Sequence, residues 1–136
     1  MTEARRFDPY DCPAVGQILS TIGDKWTVLV VTTLSHGQMR FGELKRAVGE
    51  ISQRMLTLTL RNLERDGFVT RTVYPTVPPR VEYELTDLGK TLIDPLETIA
   101  RWAIEHRLEV ADARMNFDHA KAAVADTSQL IRIATR

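Results

Sequence analysis

Gln53, Arg54, Thr57, Leu58 and Arg61 fall on one side of a helical period, and Ser52 stands directly before them. Their chemistry suits reading base edges. A glutamine amide pairs with adenine in two places, an arginine fork pairs with guanine, and a threonine methyl or a leucine packs on the methyl of thymine. Arg61, one turn later, is placed for a phosphate. Ser52 is a good helix N-cap, and its hydroxyl with the first amides can hold a phosphate at the positive helix end. No acidic residue occurs from Gln53 to Asn62, and acids return only at Glu64 and Asp66. For any one of these side chains the plainer reading is solvated helix surface. As an acid-free set on one face, they point to double-stranded DNA.

Further cations flank this set. Arg80 is expected at the tip of a projecting hairpin, with Arg71 on the strand before it. Arginines on such a hairpin enter a minor groove or bridge phosphates. Arg71 can equally pair across the hairpin with Glu82 or Glu84. Lys25 and Arg40 lie at element ends, where phosphate contacts are common. The net charge of the whole chain is zero, with 18 basic and 18 acidic residues, yet residues 40–80 hold eight basic and four acidic groups, a net of +4. A basic middle between acidic ends is the asymmetry expected when one face meets phosphates.

The elements that must carry these groups can be read in order. Pro13 suits a first helical turn, and Val15, Ile18, Leu19 and Ile22 give the first helix its apolar stripe. Gly23 ends it. Asp24 caps a second helix, Lys25 to about Ser35, with Trp26, Leu29, Val30, Thr33 and Leu34 as its apolar face. Gly37 closes that helix, and Met39 and Arg40 suggest a very short strand. A third helix, Phe41 to Val48, ends at Gly49, a residue suited to a left-handed C-terminal cap. The fourth, from Gln53 to Asp66, buries Leu56, Leu60 and Leu63, with Met55 beside them. Two short helices joined by a glycine turn make a helix-turn-helix. Phe68–Tyr74 and Val81–Leu85 read as strands around Pro75–Pro79, a wing. Thr86 then caps a long helix, about Asp87 to Leu108, which Pro95 is expected to kink. A last helical piece is expected over about Asp112–Asp126.

Composition bounds the rest. The 136 residues, 43% hydrophobic and 26% charged, suit one ordinary globular domain. No apolar run approaches the roughly 18 residues of a membrane span, and the start is not that of a signal peptide. The expected location is the cytoplasm. The single cysteine, Cys12, excludes an internal disulfide and a Cys-rich zinc site. His36, His106 and His119 show no metal spacing, so neither metal nor cofactor is expected. A Gly-rich phosphate loop, a nucleophile elbow and paired carboxylates in a cleft are all missing, which argues against an enzyme. The alternative is a winged-helix protein-interaction module without DNA binding. Its signature is acids or large apolar groups on the reading face, and Leu58 is the one hint of it.

The motifs Cys12-Pro13, Ile22-Gly23-Asp24-Lys25-Trp26, Arg40-Phe41-Gly42-Glu43-Leu44, Ile51 to Thr57, Leu60 to Gly67 and Pro78 to Thr86 occur in order over about residues 12–103. In them the chain resembles the HxlR-type family of bacterial winged-helix regulators, relatives of the MarR group. Gly23-Asp24 departs from the family's usual pair of glycines. Leu58-Thr59 departs from its polar residues and is expected on the reading face. The resemblance implies a mainly α fold with a small β-wing: a winged helix-turn-helix domain with N- and C-terminal dimerisation helices. The expected division is a flexible arm over 1–12, the winged domain with its dimerisation helices over 13–108, and a helical extension or tail over 109–136. The implied function is a sequence-specific DNA-binding transcriptional regulator. It is implied to act as a homodimer on a roughly palindromic operator, with a small-molecule or oxidant effector left open. The implied interface carries Ile18, Ile22, Leu96, Ile99 and Trp102. Some relatives sense quinones, aldehydes or oxidants through a cysteine at the place of Cys12. A thiol near a helix N-terminus is a better nucleophile, although Asp11 opposes the thiolate. The other reading of Cys12 is a small inert residue.

Overall fold

Local signals set the order of elements. The computed structural model describes residues 12–134; the arm expected before Cys12, and the Cys12 side chain, lie outside the described residues. Helix α1 spans Cys12–Ile22, and its C-terminal turn closes where the Gly23 amide donates to the Leu19 carbonyl, 2.8 Å. Asp24 then starts α2 (Lys25–Leu34), its carboxylate accepting from the Trp26 amide at 2.8 Å. The short strand β1 (Met39–Arg40) leads straight into α3 (Phe41–Val48). Gly49 ends α3 with φ of 98°, a conformation that is cheap only without a Cβ. Helix α4 spans Gln53–Arg65, and Ser52 Oγ accepts from the Met55 amide at 3.0 Å. That bond satisfies one of the four donors a helix start leaves open.

Strands β2 (Val69–Tyr74) and β3 (Arg80–Leu85) form the wing. Among the described residues they make a three-stranded antiparallel sheet in the order β1-β3-β2, with Met39 opposite Tyr83 and Val69 opposite Leu85. One joint ties the wing to the short helix after it. The Thr86 amide donates to the Phe68 carbonyl at 3.0 Å, the Thr86 hydroxyl donates to the Gly67 carbonyl at 2.6 Å, and the same hydroxyl oxygen accepts from the Gly89 amide at 3.0 Å. Gly89 lies in that helix, α5 (Asp87–Lys90), and a Cβ there would stand 2.0 Å from the Phe68 carbonyl oxygen. Only glycine lets this turn pack so close.

The core of this part is Val30, Val31 and Leu34 from α2, Leu44 from α3, Leu56, Leu60 and Leu63 from α4, with Ile51, Phe68, Val69, Tyr83, Leu85 and Leu96. Burying each such aliphatic side chain is worth about 1.5–3 kcal/mol. The expected stripe of α4 is therefore the floor on which its outer face rests.

Three expectations need correction. Helix α2 buries Thr27, Val30, Val31 and Leu34, while Leu29 stays exposed. Its sequence, KWTVLVVTTL, is apolar on most sides, so packing against α3 and α4 chooses the face. The helix expected from Asp87 to Leu108 is two: α5 stops at Lys90, and α6 spans Ile93–Ala134, taking in the piece expected over Asp112–Asp126. Pro95 makes no kink in an interior, because it lies in the first turn of α6 where no helical hydrogen bond needs its N–H. The chain divides into two compact units at Glu97–Thr98. The second is the helix alone, and its described residues are exposed apart from half-buried Ala100 and His106.

Candidate nucleic-acid interface

The outer face of α4 holds the expected reading residues together. Gln53, Arg54, Thr57, Leu58 and Arg61 are all exposed and line one surface depression of about 560 Å³. The Thr57 hydroxyl donates to the Gln53 carbonyl at 2.8 Å, which leaves its methyl as the group free for a base. Leu58 is 50% exposed in the midst of this face, an apolar contact of the kind a thymine methyl accepts. Thr59 is the correction: it is 4% exposed and belongs to the core side, so only Leu58 of that pair departs from the family on the reading face.

A second depression, of about 300 Å³, joins α4 to the wing and is lined by Thr57, Leu60, Arg61, Glu64, Arg71 and Tyr83. Arg71 faces into it because the strand register sets it opposite Tyr83. Glu82 and Glu84 stand opposite Thr72 and Thr70, on the other face of the sheet. Strand alternation thus rules out the cross-strand pair between Arg71 and either glutamate. Arg54, Arg61 and Arg71 form no ion pair with any described carboxylate, so a strip of free guanidinium groups runs from the start of α4 onto β2.

Arg80 lies at the loop end of the wing, though not in the loop itself. It opens β3 directly opposite Tyr74, and Val77, fully exposed, is an apolar group of the connection Pro75–Pro79. The turn consumes the prolines and returns the chain at Arg80, so its side chain starts from the last strand pair before the loop. There its guanidinium carbon lies 4.2 Å from the Tyr74 ring centroid, a cation–π contact. Its Nε is 3.1 Å from a Glu82 carboxylate oxygen. That nitrogen is buried and lacks the alignment of a true hydrogen bond, so charge attraction rather than a directed bond holds it. Glu82 also approaches Arg40 at 4.0 Å and accepts from the Gln38 amide, which reaches the Tyr74 hydroxyl at 3.5 Å. Arg40 and Arg80 both line a third depression, of about 510 Å³, between the wing connection and the start of α3.

Sequence reasoning missed Gln38, Tyr74 and Glu82 as partners here. The spacing of Arg80 and Glu82, two apart on a strand and hence on one face, was the signal available. Lys25 sits with its ammonium 4.5 Å from the ring centroid of its neighbour Trp26, and nothing places it with the arginine strip.

The groups expected at an interface between copies separate. Leu96 is 1% exposed and is consumed by the core, so it offers no surface. Ile22 is half-buried against the core. Ile18, Ile99 and Trp102 are exposed at 49%, 59% and 57%.

Residues 21–110 match the model of the HxlR-like helix-turn-helix family. The chain is 50% identical over 95 residues to an uncharacterized HTH-type transcriptional regulator of Methanothermobacter thermautotrophicus, covering 70% of this chain and 72% of the relative. Among solved structures, ytfH from Salmonella typhimurium superposes with a TM-score of 0.67 at 38% identity, over 74% of this chain and 89% of that one. The redox regulator HypR in its oxidized form gives 0.61 at 43% identity, over 68% and 95%.

Proposed function

The chain belongs to the HxlR-like helix-turn-helix family and is a DNA-binding transcriptional regulator, and from that premise we propose how it binds. Helix α4 enters a major groove, with Gln53, Arg54 and Leu58 at base edges and Arg61 and Arg71 on phosphates. Arg40 and Arg80 meet the backbone from the loop end of the wing. The chain acts as a homodimer on a roughly palindromic operator, using the exposed Ile18, Ile99 and Trp102, and it works beside the DNA in the cytoplasm with no catalytic step. The observation that carries this reading is the ion-pair-free strip Arg54–Arg61–Arg71 next to exposed Gln53 and Leu58. It disfavours a protein-interaction module, whose expected signature on the α4 face is acids rather than arginines without an ion pair.

The experiment is a fluorescence-anisotropy titration onto a duplex from the intergenic region beside its own gene, with a scrambled duplex as control at fixed salt. The expected preference for the native duplex is about a thousandfold or more. No binding to either duplex at low salt removes the DNA reading in favour of the protein-interaction module.

A second reading concerns regulation and is favoured by the likeness to HypR, a redox regulator. Cys12 is the first residue of α1. Modification of its thiol by a quinone or oxidant is proposed to lower operator affinity. The same titration with and without diamide is expected to change for the natural chain and not for Cys12→Ser.

A further inference from the structure

The family match ends at residue 110, yet α6 continues to Ala134. Most helical stability in proteins comes from packing an apolar face, and exposed apolar side chains along a helix mark a face that takes a partner. From Val110 onward that face has a strict spacing. Val110, Phe117, Val124 and Ile131 recur every seventh residue, and Ala113, Ala120 and Thr127 fall three residues after the first three of them. Phe117, Val124 and Ile131 are 69%, 66% and 59% exposed. Between Asn116 and Gln129 every residue off this seam is polar or alanine. A repeat of 3.5 residues rather than 3.6 keeps one seam in register only against another helix with the same period.

We propose that residues 110–134 of two copies of this chain pair as a parallel, in-register, two-stranded coiled coil. The seam alternates large residues, β-branched at Val110, Val124 and Ile131, with the small Ala113, Ala120 and Thr127, which let two helices approach closely. Charge selects the direction. The residues that follow the small seam positions are Arg114, Lys121 and Ser128, and those that precede the large ones are Glu109, Asn116 and Ala123. In a parallel pair Glu109 faces the partner subunit's Arg114, and Asn116 faces the partner subunit's Lys121. An antiparallel pair sets the basic flank against itself, so repulsion excludes it. Thr127 is a polar break in the seam and helps fix register. A parallel pair has its own two-fold axis, so it joins a symmetric dimer without opening a chain of contacts.

This inference does not rest on the DNA reading, and its test uses no DNA. Full-length Ala113→Cys, Ala120→Cys and Ala122→Cys are made in a Cys12→Ser background and oxidised mildly at low concentration. Ala113 and Ala120 lie on the seam and Ala122 on the opposite side. The expected result is a disulfide between copies at 113 and at 120, each alone, and little at 122. Absence at both seam sites, linkage at only one of them, or equal linkage at 122 overturns the proposal. Phe117→Asp, a change at an exposed site, is expected to weaken self-association at least tenfold by sedimentation equilibrium. An unchanged dimer overturns it as well.

Discussion

The outer face of α4 and the loop end of the wing carry the same cation in two different settings. On α4, Arg54 and Arg61 stand free of carboxylates on a rigid helix, above Leu56, Leu60 and Leu63, which are at most 2% exposed. At the loop end of the wing, Arg40 and Arg80 converge on Glu82, and Arg80 also stacks on Tyr74. A helix aims its side chains through its backbone and its buried stripe, and it needs no counter-charge to do so. A hairpin arginine has long, loose rotamers, and here a carboxylate and an aromatic ring hold it. Specific reading is expected from Arg54 in the free set, and sequence-independent grip from the held set.

Removing the floor under the helix has the largest expected effect. Leu60→Ala opens a cavity beneath α4 and is expected to lower unfolding stability by about 2–5 kcal/mol in a denaturant titration. A loss under 1 kcal/mol means that the face does not rest on that stripe. Next, Arg54→Ala is expected to cost about 1–3 kcal/mol on the operator and to relax preference at one base pair. Equal loss on every duplex moves Arg54 to the phosphate set and erases the contrast with the wing.

Arg80→Ala sharpens the other side. It is expected to weaken all duplexes about alike and to reduce the slope of log affinity against log salt by about 1. Sequence-dependent loss means the wing reads bases. The smallest change, Glu82→Gln, is the most discriminating because its sign is at issue. Removing a negative charge beside DNA strengthens binding if only net charge matters. If Glu82 aims Arg40 and Arg80, the variant binds more weakly, by about 1 kcal/mol, the size of a single lost contact of this kind. Tighter binding by Glu82→Gln shows that the carboxylate merely opposes the phosphates.

The two regions also differ in how far a sequence window reveals them. The α4 face follows from one helical period: with Leu56, Leu60 and Leu63 inside, Gln53, Arg54, Thr57, Leu58 and Arg61 have to be outside. Thr59 shows the edge of that argument, since a small polar residue next to the stripe is buried by the close approach of neighbouring elements. The loop end of the wing involves Gln38, Tyr74, Arg80 and Glu82, residues 44 positions apart at the extreme. Only strand register brings them together, and a shift of one residue would turn Arg80 to the other face.

By itself the sequence determined the elements as far as Thr86, but not the break between α5 and α6 or the reach of α6 to Ala134. Caps at Asp24, Ser52 and Thr86, the positive-φ Gly49, and the helical and strand periods act over a few residues each. It also determined the outer face of α4 and the heptad seam beyond Val110, because both are single periodicities. The tertiary structure alone decided which side of the all-round apolar α2 is buried, that Leu96 belongs to the core, that Arg71 joins the arginine strip and that Arg80 is held by Glu82 and Tyr74. Those outcomes depend on which distant surfaces meet, and close packing and strand register are properties of the assembled fold rather than of any window of sequence.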